Sequence, residues 1–293
     1  MTFAHAAIRG RSPMERAAYE RLYPRDALEA TLGANARADG RPLGRARARA
    51  CARGTAMRAL GSALVKHGRT TALAGVRASV TAPDASAPES GFLDVRVEFA
   101  PQASGEARMG DGRARRDACA ATVRDALRSA EVLGRELRDL CVERGNYVWR
   151  LMLDVVVLDD DGAAGDAALA AAVAALRDCV LPETAVTRGK LVIGESGAVD
   201  ADGVRKGTPL NVRSTPVCLT TALFGEYLLV DPTRREEALC ECEVSVVLTE
   251  DGMLRGVFKS GGEVEATEEI LMKCIAAARL HYAASAKVIL DEE

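Results

Sequence analysis

The chain has 293 residues, with 39 Lys and Arg against 42 Asp and Glu, a net charge of −3, and 48% hydrophobic residues. That supplies core enough for one large domain or two ordinary ones, and it excludes disorder over most of the length. The longest apolar run, 167–176, falls far short of the roughly 20 residues a membrane span needs, and no basic-then-apolar leader opens the chain, so a soluble intracellular protein is expected.

In chain order, residues 12–34 read as one helix, with Ser12 as N-cap, Pro13 in the first turn and Gly33 near the end. Asp39-Gly40 makes a tight turn inside Arg37-Ala-Asp-Gly-Arg41. Strand character begins at Cys51. Gly61-Ser62 is expected to break it, and 70–80 reads as a strand with Gly75 as a bulge or close-approach point. Residues 82–91, rich in Pro, Ser and Gly, read as a loop, and 92–99 alternates as a strand. After a polar Gly-rich loop at 103–113, apolar positions at steps of three and four from Cys119 to Leu140 predict a helix over 115–140. A long strand at 147–158 follows, ended by Asp159-Asp-Asp-Gly162; Asp154 inside it calls for a buried partner. Residues 167–176 predict a helix buried on most sides. Strands near 190–194, 217–223, 226–231, 243–249 and 254–259 then lead to a closing helix at about 265–285. Two successive blocks of mixed elements predict an α+β or α/β fold of two lobes, divided near 183–189.

Eight cysteines are scattered without a Cys-x-x-Cys pair, and there are only three histidines: His5, His67 and His281. Neither a zinc site nor a disulfide framework is indicated, and Cys240-x-Cys242 has no second pair, so reduced thiols are expected. Charge is uneven, +7 over residues 1–60 and −8 over 224–293, which suits a subunit that meets RNA or an acidic neighbour at one end and a basic neighbour at the other. His67 reads as a turn histidine, and Trp149 as core or subunit interface.

Several stretches together resemble one family. Arg37-Ala-Asp-Gly-Arg41, Gly61-Ser-Ala-Leu-Val-Lys-His-Gly68, Thr70-Thr71 and Gly75-Val76 are similar to the opening turn and hairpin of the RNase PH superfamily. Leu158-Asp-Asp-Asp-Gly162, Asp166-Ala167 and Leu228-Leu-Val-Asp-Pro-Thr233 with Glu236-Glu237 agree with its second half. The last two look like the non-catalytic branch that builds eukaryotic exosome rings. The likeness runs from about residue 19 to 285. It implies the two-lobed α+β RNase PH fold (ribosomal protein S5 domain 2-like), with mixed sheets and packed helices. A helical extension would occupy 1–36, the first lobe 37–186, and the second lobe, with its C-terminal helix, 187–293.

The function so implied is a non-catalytic structural subunit of the RNA exosome core ring. It would sit in a six-membered barrel with other RNase PH-like subunits, beneath S1/KH cap proteins. It would guide RNA to hydrolytic exonuclease subunits for 3′–5′ degradation and ribosomal RNA processing, in nucleus, nucleolus and cytoplasm. No cofactor, metal or membrane is implied.

Active members of that superfamily cleave RNA by phosphorolysis, gripping phosphate with a Gly-Thr-Arg turn at a helix N-terminus. Here the matching stretch is Asp161-Gly-Ala-Ala-Gly-Asp166, with Ala164 and Gly165 at the Thr-like and Arg-like positions. Asp166 is expected to cap the helix with its own carboxylate. Active members also use two aspartates six residues apart; the matching Glu237 and Glu243 are each longer by a methylene, and read as exposed acids without substrate. Arg108, Arg113, Arg115 and Arg116 are candidate contacts to RNA phosphates. The rival reading is an active phosphate-dependent 3′–5′ exoribonuclease that uses Glu237 and Glu243, with phosphate gripped by those arginines.

Overall fold

The structure, a computed structural model, describes residues 13–103, 111–187, 190–194, 206–260, 262 and 266–291. Ser12 and Arg108 lie outside them. Two short helices, α1 (Pro13–Leu22) and α2 (Pro24–Leu32), stand where one was expected over 12–34. Pro24 has no N–H to donate and disfavours helical backbone in the residue before it; Tyr23 accordingly leaves the helix at φ −132°, ψ 65°. Helix α2 buries Leu28 and Leu32 against Ala222, Phe224 and Leu229 of the second lobe.

The first lobe is built on β1 (Arg49–Arg53), β2 (Gly61–His67), β3 (Thr70–Thr81), β4 (Phe92–Phe99), β5 (Cys141–Glu143) and β6 (Tyr147–Asp159). They pair in the order β1-β2-β3-β6-β4, with β5 also on β6; only β4 runs parallel to its neighbour. Gly61 opens β2 instead of breaking a strand. A Cβ there would lie 2.4 Å from the Ala175 carbonyl oxygen, so glycine lets the sheet approach the helix behind it. Gly75 pairs in register with Ser62 and Asp154, and the irregularity falls at Thr71/Ala72. Asp154 is not a core carboxylate: it lies on the half-exposed face of β6 and meets Arg77 at 2.5 Å.

Helix α3 (Asp111–Ser129) ends well before residue 140. Glu131 and Gly134 take positive φ, 50° and 80°, which a right-handed helix cannot contain. Val132, Leu133 and Leu140 are nonetheless buried, so the spacing of three and four continued through loop residues that pack without being helical. Helix α4 (Ala164–Arg177) is buried almost all round, its alanines allowing close contact with the sheet.

Beyond α4 come β7 (Val180–Leu181), β8 (Thr184–Thr187), β9 (Lys190–Ile193) and β10 (Thr208–Pro209), which form two small antiparallel pairs, β7 with β10 and β8 with β9. The second lobe is an antiparallel sheet of β11 (Val217–Phe224), β12 (Tyr227–Val230), β13 (Cys242–Leu248) and β14 (Leu254–Lys259) in the order β12-β11-β13-β14. A single-turn helix, α5 (Arg234–Glu237), lies between β12 and β13, and α6 (Glu268–Leu290) closes the lobe. One core cluster spans both lobes, joining the alanines of α4 to Val217, Cys218, Val247, Ala286 and Ile289. Trp149 belongs to the same core, and all eight cysteines are free thiols.

Candidate active site at the head of helix α4

The end of β6, the head of α4, α5, α3 and β13 converge on one corner. The chain bends there through Gly162 (φ 93°) and Ala163 (φ 48°) into α4. A Cβ on Gly162 would lie 2.3 Å from the Pro232 carbonyl oxygen, so only glycine fits. Thr70 Oγ1 accepts from Asp161 N–H (3.0 Å) and donates to the Gly162 carbonyl (2.7 Å). Arg47 donates to the Asp161 and Gly162 carbonyls (2.8 and 3.0 Å) and to both Asp231 oxygens (3.0 and 2.6 Å). Arg37 is likewise structural: it pairs with the buried Glu236 carboxylate and donates to the Val230 and Asp231 carbonyls (2.6 and 3.0 Å). The Arg37–Arg41 turn therefore braces the Asp231 bend from below.

Asp166 does not cap α4. It falls in the first turn, points across to the second lobe, and accepts from Thr220 N–H (2.9 Å) and Thr220 Oγ1 (2.7 Å). Ala163 occupies the cap position, where it has no side-chain oxygen to offer. The acid at the helix head is Glu237, whose Oε1 accepts the Ala163 N–H at 2.6 Å. Its other oxygen accepts from Arg115, which is also paired with Asp160.

Glu237 and Glu243 are not exposed acids. Glu237 is buried and Glu243 half-buried, because α5 and β13 direct them inward at the head of α4. Burial, then the neighbouring Glu243 charge, raises the Glu237 carboxyl against the pull of Arg115. Glu243 is raised too, chiefly by burial. Both carboxyls therefore hold their protons above the usual carboxylate range. Burial works against the Arg115 charge, but the carboxylates of Glu237 and Asp160 outweigh it and strengthen the guanidinium's hold on its proton. A small cavity beside them is lined by Glu243, Arg115, Cys119, Thr122, Gly165 and Thr220.

The candidate RNA-contact arginines separate. Arg115 is turned inward onto the acids. Arg113 is 92% exposed and lies 3.9 Å from Asp117, while Arg116 lies over the Phe99 ring at 5.7 Å. His67 is buried at the end of β2 rather than exposed in the turn, and burial, then the Arg49 charge, holds its pKa well below the ordinary value. Sequence reasoning missed Asp160, Arg47 and Thr220. Asp160 was visible only as one of three consecutive aspartates. Among the described residues, no group of three or more His, Cys, Asp or Glu is arranged to hold a metal ion.

Residues 45–182 match the 3′ exoribonuclease family, domain 1, and residues 214–279 match domain 2 of the same family. The chain belongs to the RNase PH family. Among its relatives, exosome complex component Rrp42 of Methanopyrus kandleri is 31% identical over 235 residues, covering 80% of this chain and 84% of that protein. The Rrp42 component of Aeropyrum pernix is 35% identical over 205 residues, 70% of this chain and 71% of that one. An archaeal exosome core superposes with a TM-score of 0.75 at 26% identity, covering 95% of this RNase PH chain and 100% of its own. An Archaeoglobus fulgidus exosome with RNA bound to the active site gives 0.73 at 29% identity, covering 89% and 96%. A likeness to eukaryotic ribosomal RNA-processing protein 43, expected from residues 147–149, 181–183, 210–213 with Pro216, and 229–233, is not confirmed: these relatives carry the name Rrp42.

Proposed function

We propose that this RNase PH-family chain is a non-catalytic structural subunit of an RNA exosome core ring, of the Rrp42 type, supporting 3′–5′ RNA degradation and ribosomal RNA processing. The observation that carries the reading is the Glu237–Ala163 hydrogen bond at the head of α4. An inorganic phosphate there would need free N–H donors and an arginine. The chain offers a seated carboxylate, Gly165 in place of the arginine, and an Arg115 already committed to Asp160 and Glu237. The names of the relatives and the exosome cores among the similar structures support assembly with other RNase PH-like subunits. S1/KH cap proteins and hydrolytic nucleases complete the proposed assembly, and the exposed Arg113, with Arg116 over the Phe99 ring, would contact RNA phosphates.

The test is the composition of the complex recovered with the tagged full-length chain from its own cells, by native mass spectrometry. It should contain other RNase PH-like chains and S1/KH proteins, and the purified chain alone should release no nucleoside diphosphates from RNA in phosphate buffer. A free monomer or homo-oligomer would overturn the ring assignment. Phosphate-dependent release that disappears in Glu237→Gln would overturn the non-catalytic one.

A further inference from the structure

A second polar cluster lies apart from the site at the head of α4, where the two lobes meet. Arg49 on β1 donates to Ser285 Oγ on α6, and Arg53 donates to the Ile289 carbonyl in the last turn of that helix. Behind this pair is an enclosed cavity of about 10 Å³. Its polar lining is Arg49, His67 and Asp166, with Cys218 and Ser285 contributed by the second lobe. Three buried nitrogens there make no hydrogen bond within the protein: Arg49 Nε, Arg49 Nη2 and His67 Nδ1. Buried donors and acceptors left without a partner are costly, so the site calls for an occupant that pairs with them. A cavity of that size accommodates roughly one water molecule, which wants two to four polar partners.

We propose that a single ordered water occupies this cavity and bridges Arg49 to Asp166 and His67. The bridge fills all four of the water's valences. The Nε–H and Nη2–H of Arg49 form one edge of a fork and point two donors at one acceptor oxygen. The water's own two hydrogens then go to the unprotonated Nδ1 of His67 and to a lone pair of the Asp166 carboxylate, whose two oxygens offer four and also meet Thr220 N–H, Thr220 Oγ1 and the Cys218 thiol. An imidazole kept neutral by burial can accept at Nδ1, as the bridge requires. A halide would satisfy the arginine but would face the Asp166 carboxylate, so water is the occupant the charges favour. The bridge gives Asp166 a role other than capping: it completes an ion pair from β1 of the first-lobe sheet to the head of α4, under the C-terminal helix.

The experiment is a crystal structure of the full-length chain at a resolution that shows ordered water, with a second crystal soaked in bromide. The expected result is one spherical peak about 2.7–3.2 Å from Arg49 Nε or Nη2, His67 Nδ1 and an Asp166 oxygen, without anomalous signal after the soak. A bromide peak, an empty cavity, or a direct Arg49–Asp166 contact that closes it would overturn the proposal. Nitrogen NMR of the same protein supplies an independent reading. The Nδ1 of His67 should show the shift of an unprotonated ring nitrogen from about pH 5 to about pH 8; a protonated Nδ1 would overturn the bridge.

Discussion

Asp231 sits buried at φ 52°, a backbone angle that non-glycine residues seldom take, and it persists because Arg47 holds it from three directions, one of them the Arg47 backbone N–H at 2.7 Å. Burial raises its pKa, but the Arg47 hydrogen bonds and charge outweigh burial and hold it at about 2. The folded value lies below the ordinary 3.8, so the stabilisation is complete above about pH 4 and is lost as pH falls toward 2. By linkage that is about 2 kcal/mol. Asp231→Ala should cost more, roughly 3–5 kcal/mol, because it strands Arg47 in the interior without its partner. Denaturant unfolding at neutral pH measures this; a loss under about 1 kcal/mol would mean that Arg47 escapes to solvent. Asp166 behaves oppositely. Burial lifts it to about 6, only partly offset by the Arg49 charge and the Thr220 hydrogen bonds. Since the folded value exceeds the ordinary 3.8, stability attached to this group is full below about pH 4 and falls as pH rises through about 6. The stability gap between the wild type and Asp166→Asn should therefore be larger in favour of the wild type near pH 4 than at pH 7. Thermal melts at the two pH values check it, and a gap independent of pH would show that Asp166 is not buried as a carboxylate.

At the scale of elements, the turn into α4 shows why backbone geometry decides whether a site exists. Gly162→Ala must accept both φ 93° and a Cβ 2.3 Å from the Pro232 carbonyl oxygen, so it should destabilise by at least about 1–3 kcal/mol and disturb the Glu237–Ala163 contact. Gly225→Ala is the matched control: φ is 56°, but nothing lies within 4 Å, and the cost should be about 1 kcal/mol. Equal losses would show that the Pro232 segment moves aside. The long strands β3, β4 and β6 and the buried helix α4 were legible because their periodicity covers many residues. The two- to four-residue pieces β5, β7, β8, β10 and α5 were not, since each is too short to show a period. The site was legible in type but not in placement. That Ala164 and Gly165 offer no polar side chain to a phosphate could be read directly. That Glu237, and not Asp166, would occupy the head of α4 could not, because it depends on α5 folding back across 74 residues.

For the whole molecule, the two lobes share so much interior that they should behave as one cooperative unit. The alanine helix α4 packs the first sheet on one side and meets Val217, Cys218 and Val247 of the second on the other. Backbone hydrogen bonds cross the division at Arg234 N–H to the Asp161 carbonyl (3.0 Å) and Leu210 N–H to the Cys179 carbonyl (2.9 Å), and α6 returns to latch onto β1 through Arg49 and Arg53. Cutting the chain near 187 would bare α4 along its length and strip the arginines of their helix. Calorimetry of the full chain should accordingly give a single transition, with van't Hoff and calorimetric enthalpies equal. Fragments 1–186 and 187–293, expressed separately, should lack cooperative melts and regain one when mixed. A fragment that melts cooperatively alone would mean that its lobe holds a sufficient core of its own. The shared interior would then serve to fix how the lobes are set against each other, not to make either of them fold.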